Sequence, residues 1–275
     1  MKIQWIIENI VKEPSYTELA AAVESAGHPL IKLNEDFDIE EFLDQIQQIP
    51  TIFNGSIEMT KLVRDILEYE ELSGVCNPIA YCSFDKFKCS SYYSHYSKYL
   101  FNDKYALISL EGLKQNKFLY YGVFGKEALI FLRPDSGEKS FQAQLLDIID
   151  FNKFYEQYID LKHELVLIST PKTIIGEWRY VVGAGEIIAK SLYRYQGQTS
   201  KINAAPKEAD DFVKELLKVN FMPDPVCCFD VCQDSEGKFW LLELTSFSSA
   251  GLYACDKTKI VEKVSKIIEN LDVPF

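Results

Sequence analysis

Three histidines in 275 residues leave little material for nucleophile–base catalysis. His28, His95 and His163 fall in a predicted turn, an aromatic helix and a polar approach to a strand, and each reads as structural or solvated. The seven cysteines (76, 82, 89, 227, 228, 232 and 255) form no Cys-x-x-Cys pair, and no histidine stands at zinc-knuckle spacing. Cys227, Cys228 and Cys232 lie in or beside an apolar strand-like run, the usual place of buried free thiols, and a reducing, cytoplasmic setting is the expectation. No apolar run reaches the roughly 20 residues of a membrane span. The first nine residues turn acidic too soon for a signal peptide and read as a first strand. Basic residues are also in deficit: 29 Lys and Arg against 41 Asp and Glu, a net charge of −12. That balance argues against a nucleic acid or an anionic membrane as partner, because both need a basic face to displace counterions. A small anionic ligand stays open, since a few cations can act locally within an acidic body.

What is present is a globular composition, 47% hydrophobic, in a chain longer than one compact unit. The first eighty residues alternate strand and helix. Residues 3–7, 30–33 and 51–56 read as strands or strand-to-turn. Ser15 to Glu18 reads as a capping box opening a helix to about Ser25, and further helices are expected over 38–48 and 57–70. That alternation implies a parallel sheet. Residues 76–105 are crowded with aromatics, and Tyr92, Tyr96 and Tyr99 share a helical face that reads as core. From residue 118 short apolar runs dominate: 118–124, 128–132, 165–169, 177–183, 186–191, 226–231 and 239–244. Separated by Gly, Asp and Ser turns, most are expected to be antiparallel strands, interrupted by helices over 206–219 and 257–271.

Three constellations carry chemistry. In Phe131-Leu132-Arg133-Pro134-Asp135-Ser136-Gly137-Glu138-Lys139-Ser140-Phe141 a strand leads into a cation, a small turn and a second cation. Such a turn can offer backbone N–H groups to a polyphosphate, with Arg133 as a planar fork and Lys139 as a mobile charge; the alternative is a hairpin with hydrated charges. Next, Glu177 and Arg179 are two apart in a strand and so share a face, where they either pair with a neighbour or line a cleft that Lys190 could also reach. Finally, Asp230 and Glu243 each sit inside an apolar run on either side of the Asp234–Gly237 turn. Pairing of those runs would bring two buried carboxylates together, which demands a cation between them, a shared proton or an arginine such as Arg133 or Arg179. Hard oxygen ligands favour Mg²⁺. A small-residue loop, Ser246 to Tyr253, follows.

In this order the residues resemble the ATP-grasp superfamily, in particular a group with an Arg-Pro-Asp-Ser-Gly-x-Lys-Ser-Phe segment, a Glu-Trp-Arg segment and a Glu-Leu-Asn-like ending. The likeness covers most of the chain. It implies an α/β plus α+β fold: a Rossmann-like preATP-grasp domain over 1–80, a first ATP-grasp lobe with an aromatic-rich start over 81–165, and a second lobe with the metal-binding carboxylates over 166–275. By the same resemblance, Arg133 stands where a phosphate-binding lysine is common, and Ser136, Gly137, Lys139 and Ser140 belong to the loop over the phosphates. Ser169 lies in the stretch that presents backbone groups to adenine. Glu177 and Lys190 are placed on the nucleotide side of the cleft, and Arg179 matches a cleft arginine. Asp230 and Glu243 match Mg²⁺ ligands, and Thr245 takes the place of the usual asparagine ligand. The implied activity is ATP-dependent carboxylate–amine ligation through an acylphosphate, on a small molecule or a peptide. The implied alternative is a nucleotide-binding protein without catalysis.

Overall fold

The computed structural model describes residues 2–9, 14–34, 36, 38–47, 49–70 and 84–271. Cys76, Cys82 and the expected boundary at residues 80 and 81 lie outside them. The N-terminal alternation folds as its pattern requires. Strands β1 (Gln4–Glu8), β2 (Leu30–Leu33) and β3 (Thr51–Asn54) form a parallel sheet in the order β2-β1-β3. Helices α1 (Pro14–Ser25), α2 (Ile39–Gln45) and α3 (Ile57–Tyr69) join or follow these strands. Every residue of β3 is buried, as in parallel sheets covered on both faces. Asp38 and Ser56 cap α2 and α3 by accepting from the N–H groups of Glu41 and Met59. The capping box at Ser15 does not form: α1 begins at Pro14, and the Ser15 hydroxyl is buried with no partner. Proline's fixed φ and missing N–H suit that first turn.

Helix α4 (Cys89–Tyr92) and a 3₁₀ turn at Ser97–Tyr99 replace the single aromatic helix the Tyr spacing suggested. The core reading of the stripe still holds, with Tyr92 and Tyr96 fully buried. A second, antiparallel sheet combines β4 (Tyr105–Ser109), β5 (Leu129–Pro134), β6 (Gln144–Asp147) and β7 (Leu165–Ser169) in the order β4-β7-β5-β6. Helices α5 (Leu110–Gln115), α6 (Lys117–Phe124) and α7 (Phe151–Gln157) cover one face, against Ile130, Leu132, Leu146, Val166 and Ile168. Strand alternation turns Phe131, Arg133, Leu145, Leu167 and Ser169 to the other face. The strand expected over 118–124 is thus a helix. A short apolar run has no period to tell the two apart, and the N–H groups of Leu119 and Tyr120 bond back to the Asn116 carbonyl in helical fashion.

The third sheet is antiparallel and comprises β8 (Ile174–Gly183), β9 (Glu186–Tyr195), β10 (Gln198–Ile202), β11 (Val226–Asp234) and β12 (Phe239–Ser246), ordered β10-β9-β8-β11-β12. Its two faces are chemically unlike. Trp178, Tyr180, Val182, Cys227, Phe229 and Val231 pack with α8 (Lys207–Leu216) and the aromatics around α4. On the opposite face, Val181, Ala189 and Cys228 join α9 (Lys257–Glu269), α1 and Trp5 in one core, so the first and third sheets share a hydrophobic cluster. The five described cysteines are all buried and free, and burial pushes their thiols up. No helix among the described residues is long and apolar enough to cross a membrane.

Candidate functional site

Register decides the site. Arg179 on β8 stands opposite Asp230 on β11, and Asp230 stands opposite Glu243 on β12, so all three side chains share a face. A bulge follows at once: Val231 pairs with Leu241, leaving Leu242 as the extra residue beside Glu243. Thr245, two residues on, projects to the same side. Arg133, from the second sheet, reaches this face and donates from Nη2 to Glu243 Oε1 at 2.9 Å, while Lys139 Nζ lies 3.3 Å from Oε2. Burial alone would raise the Glu243 carboxyl. The Lys139, Arg133 and Arg179 cations outweigh burial and hold it down at about 2.

Arg179 is held otherwise. Its Nε and Nη2 donate to the two oxygens of Asp230 at 2.8 and 2.7 Å, and Nη1 donates to the Gly251 carbonyl at 2.8 Å. Its guanidinium also lies 5.1 Å from the ring centre of Tyr253, which stacks on Tyr193. Both partners of the Arg179–Asp230 pair are buried. Thus each of the two strand carboxylates has an arginine partner, the arrangement the sequence left open beside the metal reading.

The turn between Arg133 and Phe141 is fixed from several sides. The Asp135 carboxylate accepts from the Ser90 N–H at 2.7 Å and from its hydroxyl at 2.6 Å. Gly137 lies so close to the chain at Phe84 that a Cβ would fall 2.3 Å from that carbonyl oxygen. Lys139 adopts a left-handed φ of 53°, Glu138 pairs with Lys61 of α3, and Ser140 donates to Glu164 at 3.0 Å. Ser136 Oγ accepts from the Glu138 N–H. Lys139 alone of these turn residues reaches Glu243.

The remaining expected residues divide. Glu177 shares the face of Arg179 but is buried against neighbours, accepting from the Tyr193 hydroxyl at 2.8 Å and Arg194 at 3.1 Å. Ser169 sits on the same sheet face as Arg133 and donates to Asn102 Oδ1 at 2.9 Å. Lys190 is a correction. It pairs across the ladder with Tyr180, and both bond Asp210 of α8, Lys190 at 2.5 Å. Strand alternation therefore turns it away from Arg179. Sequence reasoning missed Tyr193, Tyr253, Ser90 and Lys61. Tyr193 lies two residues beyond Ser191, which pairs with Arg179, so strand parity carried a signal for it. Lys61 and Ser90 act across long sequence separations and left none.

The donor set fits a hard cation. Two carboxylates and a hydroxyl lie on one face, and Thr245 Oγ1 is buried with no hydrogen-bond partner, a costly state that an oxygen ligand or a held water would relieve. Among the described residues no group of three or more His, Cys, Asp or Glu could hold a metal ion. An ion here would therefore need phosphate oxygens as well.

Several solved structures share the whole fold. D-cycloserine synthetase DcsG aligns with a TM-score of 0.64 at 11% identity, over 97% of this chain and 99% of that one. The ATP-grasp ligase PsnB, complexed with a minimal precursor, aligns at 0.56 and 11% identity, over 97% of this chain and 100% of that one. D-alanine–D-alanine ligase from Bacillus anthracis aligns at 0.58 and 11% identity, over 98% and 96%. At such identities the likeness shows the fold alone, which is the ATP-grasp fold the sequence led us to expect. No curated protein matches the chain. The ATP-grasp domain of the R2K clade, family 2, matches residues 109–263, more than half of the sequence, and the chain belongs to that family of ATP-grasp enzymes.

Proposed function

We propose that this chain is an ATP-dependent carboxylate–amine ligase that forms a C–N bond through an acylphosphate, with ADP and phosphate as products. The observation that carries the reading is the convergence of Arg133 and Lys139 on Glu243, beside the Arg179–Asp230 pair. Two cations on one carboxylate can transfer to an incoming polyphosphate, which offers them more negative charge. Structural neighbours include a D-cycloserine synthetase, a D-alanine–D-alanine ligase and an ATP-grasp ligase complexed with a minimal precursor, and a small-molecule or peptide carboxylate and amine are the proposed substrates. Residues 1–80, 81–165 and 166–275 serve in this reading as the preATP-grasp domain and the two lobes. A cytoplasmic setting belongs to the same proposal, supported by five buried free thiols.

In the first step a substrate carboxylate oxygen attacks the γ-phosphorus, and the bond from phosphorus to the ADP oxygen breaks. Arg133 and Lys139 neutralise the charge that spreads over the phosphoryl oxygens, and the fixed turn at Asp135–Ser140 holds Lys139 in place for it. In the second step the amine nitrogen attacks the acyl carbon, the carbon–oxygen bond to phosphate breaks, and the departing phosphate takes the amine's proton. No protein acid or base is required, in keeping with three histidines outside the cluster. Asp230, Glu243 and Thr245 would hold Mg²⁺, which supplies charge neutralisation at the phosphates. Positioning carries the rest of the rate.

Thermal unfolding with and without MgATP tests this reading on the wild type and on Glu243→Ala. With ATP at about 100 times its dissociation constant, binding adds roughly 2.7 kcal/mol, a rise on the order of 5–10 °C for a chain of this size. The rise should shrink in the variant, and ADP should then appear when carboxylate and amine pools are added. No rise in either protein sinks the proposal. A second reading, nucleotide binding without catalysis, is favoured by Thr245 in place of asparagine. Thr245→Asn separates the two: turnover that appears only in the variant marks a chain that binds nucleotide and does not ligate.

A further inference from the structure

Helix α6 breaks the usual rule for a surface helix. Apart from Lys117 it reads Phe-Leu-Tyr-Tyr-Gly-Val-Phe, apolar or aromatic nearly all round, yet only Tyr121 is buried. A helix of that composition is expected inside a core. Here Phe118 is 75% exposed, and Leu119 and Val123 are 62% exposed each. The segment after β6 extends the same surface. Tyr121 donates to the Leu146 carbonyl at 3.1 Å and Lys117 to Asn152 at 3.2 Å, so residues 146–152 run alongside α6. Between those two contacts stands Ile149, 85% exposed.

The surface has a shape that fits itself. Gly122 lies on the exposed side, and a Cβ built there would meet nothing within 4 Å. Phe118 and Leu119, one turn earlier, stand proud beside that notch. When two copies of α6 run antiparallel about a twofold axis near residue 120, Phe118 of each faces Gly122 of the other, a knob into a gap at both ends. Isologous contacts of this kind repeat one residue pairing twice. Tyr120, Tyr121 and Phe124 pack toward the core beneath the helix, so Phe118, Leu119, Gly122 and Val123 form the exposed strip, and no charge interrupts residues 118–124 in a chain of net charge −12. Two acidic copies approach at least electrostatic cost where the surface is neutral. Covering both patches would remove on the order of 1,000 Å² from water, the lower bound for a specific biological interface.

We infer that α6 is the dimer interface of this protein, with a second copy of the chain as its occupant. The helices α5 to α7 lie on the face of the second sheet opposite Arg133, so the pairing leaves the candidate site open in both copies. The inference stands independently of the proposed reaction.

Sedimentation velocity of the full chain from about 1 to 100 µM tests it. The wild type should sediment as a dimer, and Phe118→Glu and Val123→Glu as monomers with an unchanged circular dichroism spectrum. Gly122→Leu is the sharper variant. Its Cβ meets no atom within 4 Å in the monomer, and leucine favours the helix over glycine, so it should keep the fold and raise the dimer dissociation constant at least tenfold. A monomeric wild type across the range overturns the inference, as does a dimer that survives all three substitutions. A monomer that gains mass only with another protein equally overturns it.

Discussion

Two buried arginines, Arg133 and Arg179, face the same pair of carboxylates and are held in opposite ways. Arg179 makes three hydrogen bonds through three nitrogens and lies against an aromatic ring, so its charge and its donors are satisfied within the protein. Among the described residues Arg133 donates to Glu243 alone, and its Nε is buried without a partner. A buried donor left unmatched costs on the order of 1–3 kcal/mol. Such a cost is what a binding site carries until its ligand arrives, whereas a satisfied pair is what a fold uses to fix a register. In the proposed reaction Arg133 is accordingly the phosphate ligand. Arg179, whose donors are taken, orients Asp230 and the Tyr193–Tyr253 stack. By resemblance Arg133 stands at a phosphate-binding position and Arg179 is a cleft arginine; the hydrogen bonds of Arg179 tie it to Asp230 and the Gly251 carbonyl instead.

The contrast can be broken most forcefully at Asp230. Asp230→Ala strands Arg179 as an uncompensated buried charge, and chemical denaturation should show a loss of about 3–5 kcal/mol. A loss below about 1 kcal/mol would show that Arg179 is not the structural member of the two. Next comes the acid limb of stability. The Glu243 carboxyl lies near 2 in the folded protein against an ordinary 4.5. A folded value below the unfolded one means that the unfolded chain binds more protons between these limits. Stability therefore rises with pH across that window, is complete above about 4.5 and is lost as pH falls toward 2. The difference corresponds to something on the order of 3 kcal/mol. Unfolding followed from pH 5 to pH 2 should show a shallower slope in Glu243→Gln than in the wild type; equal slopes would refute the ion-pair assignment.

Arg133→Met sharpens the comparison from the other side. Glu243 keeps Lys139, and an apolar chain suits the buried stem, so stability should move by no more than about 1–2 kcal/mol. The MgATP-induced rise in melting temperature should nevertheless vanish. A full ATP response in Arg133→Met would hand the phosphate role elsewhere. Smallest of all is Lys190→Met, which loses a half-buried pair with Asp210. The cost should stay within about 1 kcal/mol, with the ATP response intact. An ATP response lost in that variant would return Lys190 to the cleft.

Much of this was legible in the sequence, for reasons that differ by segment. The β2-β1-β3 sheet and its helices announce themselves through apolar runs punctuated by Asp38, Ser56 and Gly27. β7, β8, β11 and β12 do so through long apolar stretches between turns. β6 (Gln144–Asp147) and β10 (Gln198–Ile202) were not legible, because edge strands this short and polar owe their conformation to a neighbour rather than to their own residues. Helix α6 misled in the other direction, since a seven-residue apolar run has no period to declare.

For the candidate site the division is similar. Composition and local pattern alone marked out the candidate residues: Arg133 and Lys139 around a small turn, Glu177 and Arg179 on one strand face, and carboxylates at 230 and 243 that could not stay buried unpaired. Those conclusions follow from alternation along a strand and from the cost of desolvating charge, both local quantities. Partnership was decided only in three dimensions. The antiparallel register placed Arg179 across from Asp230, the bulge at Leu242 set Glu243 beside it, and the packing of the second sheet against the third brought Arg133 and Lys139 onto Glu243 while Lys190 went to Asp210. Each contact joins segments far apart in the chain, and a Coulombic preference for the opposite charge does not say which of several cations will be within reach; only the fold's geometry does.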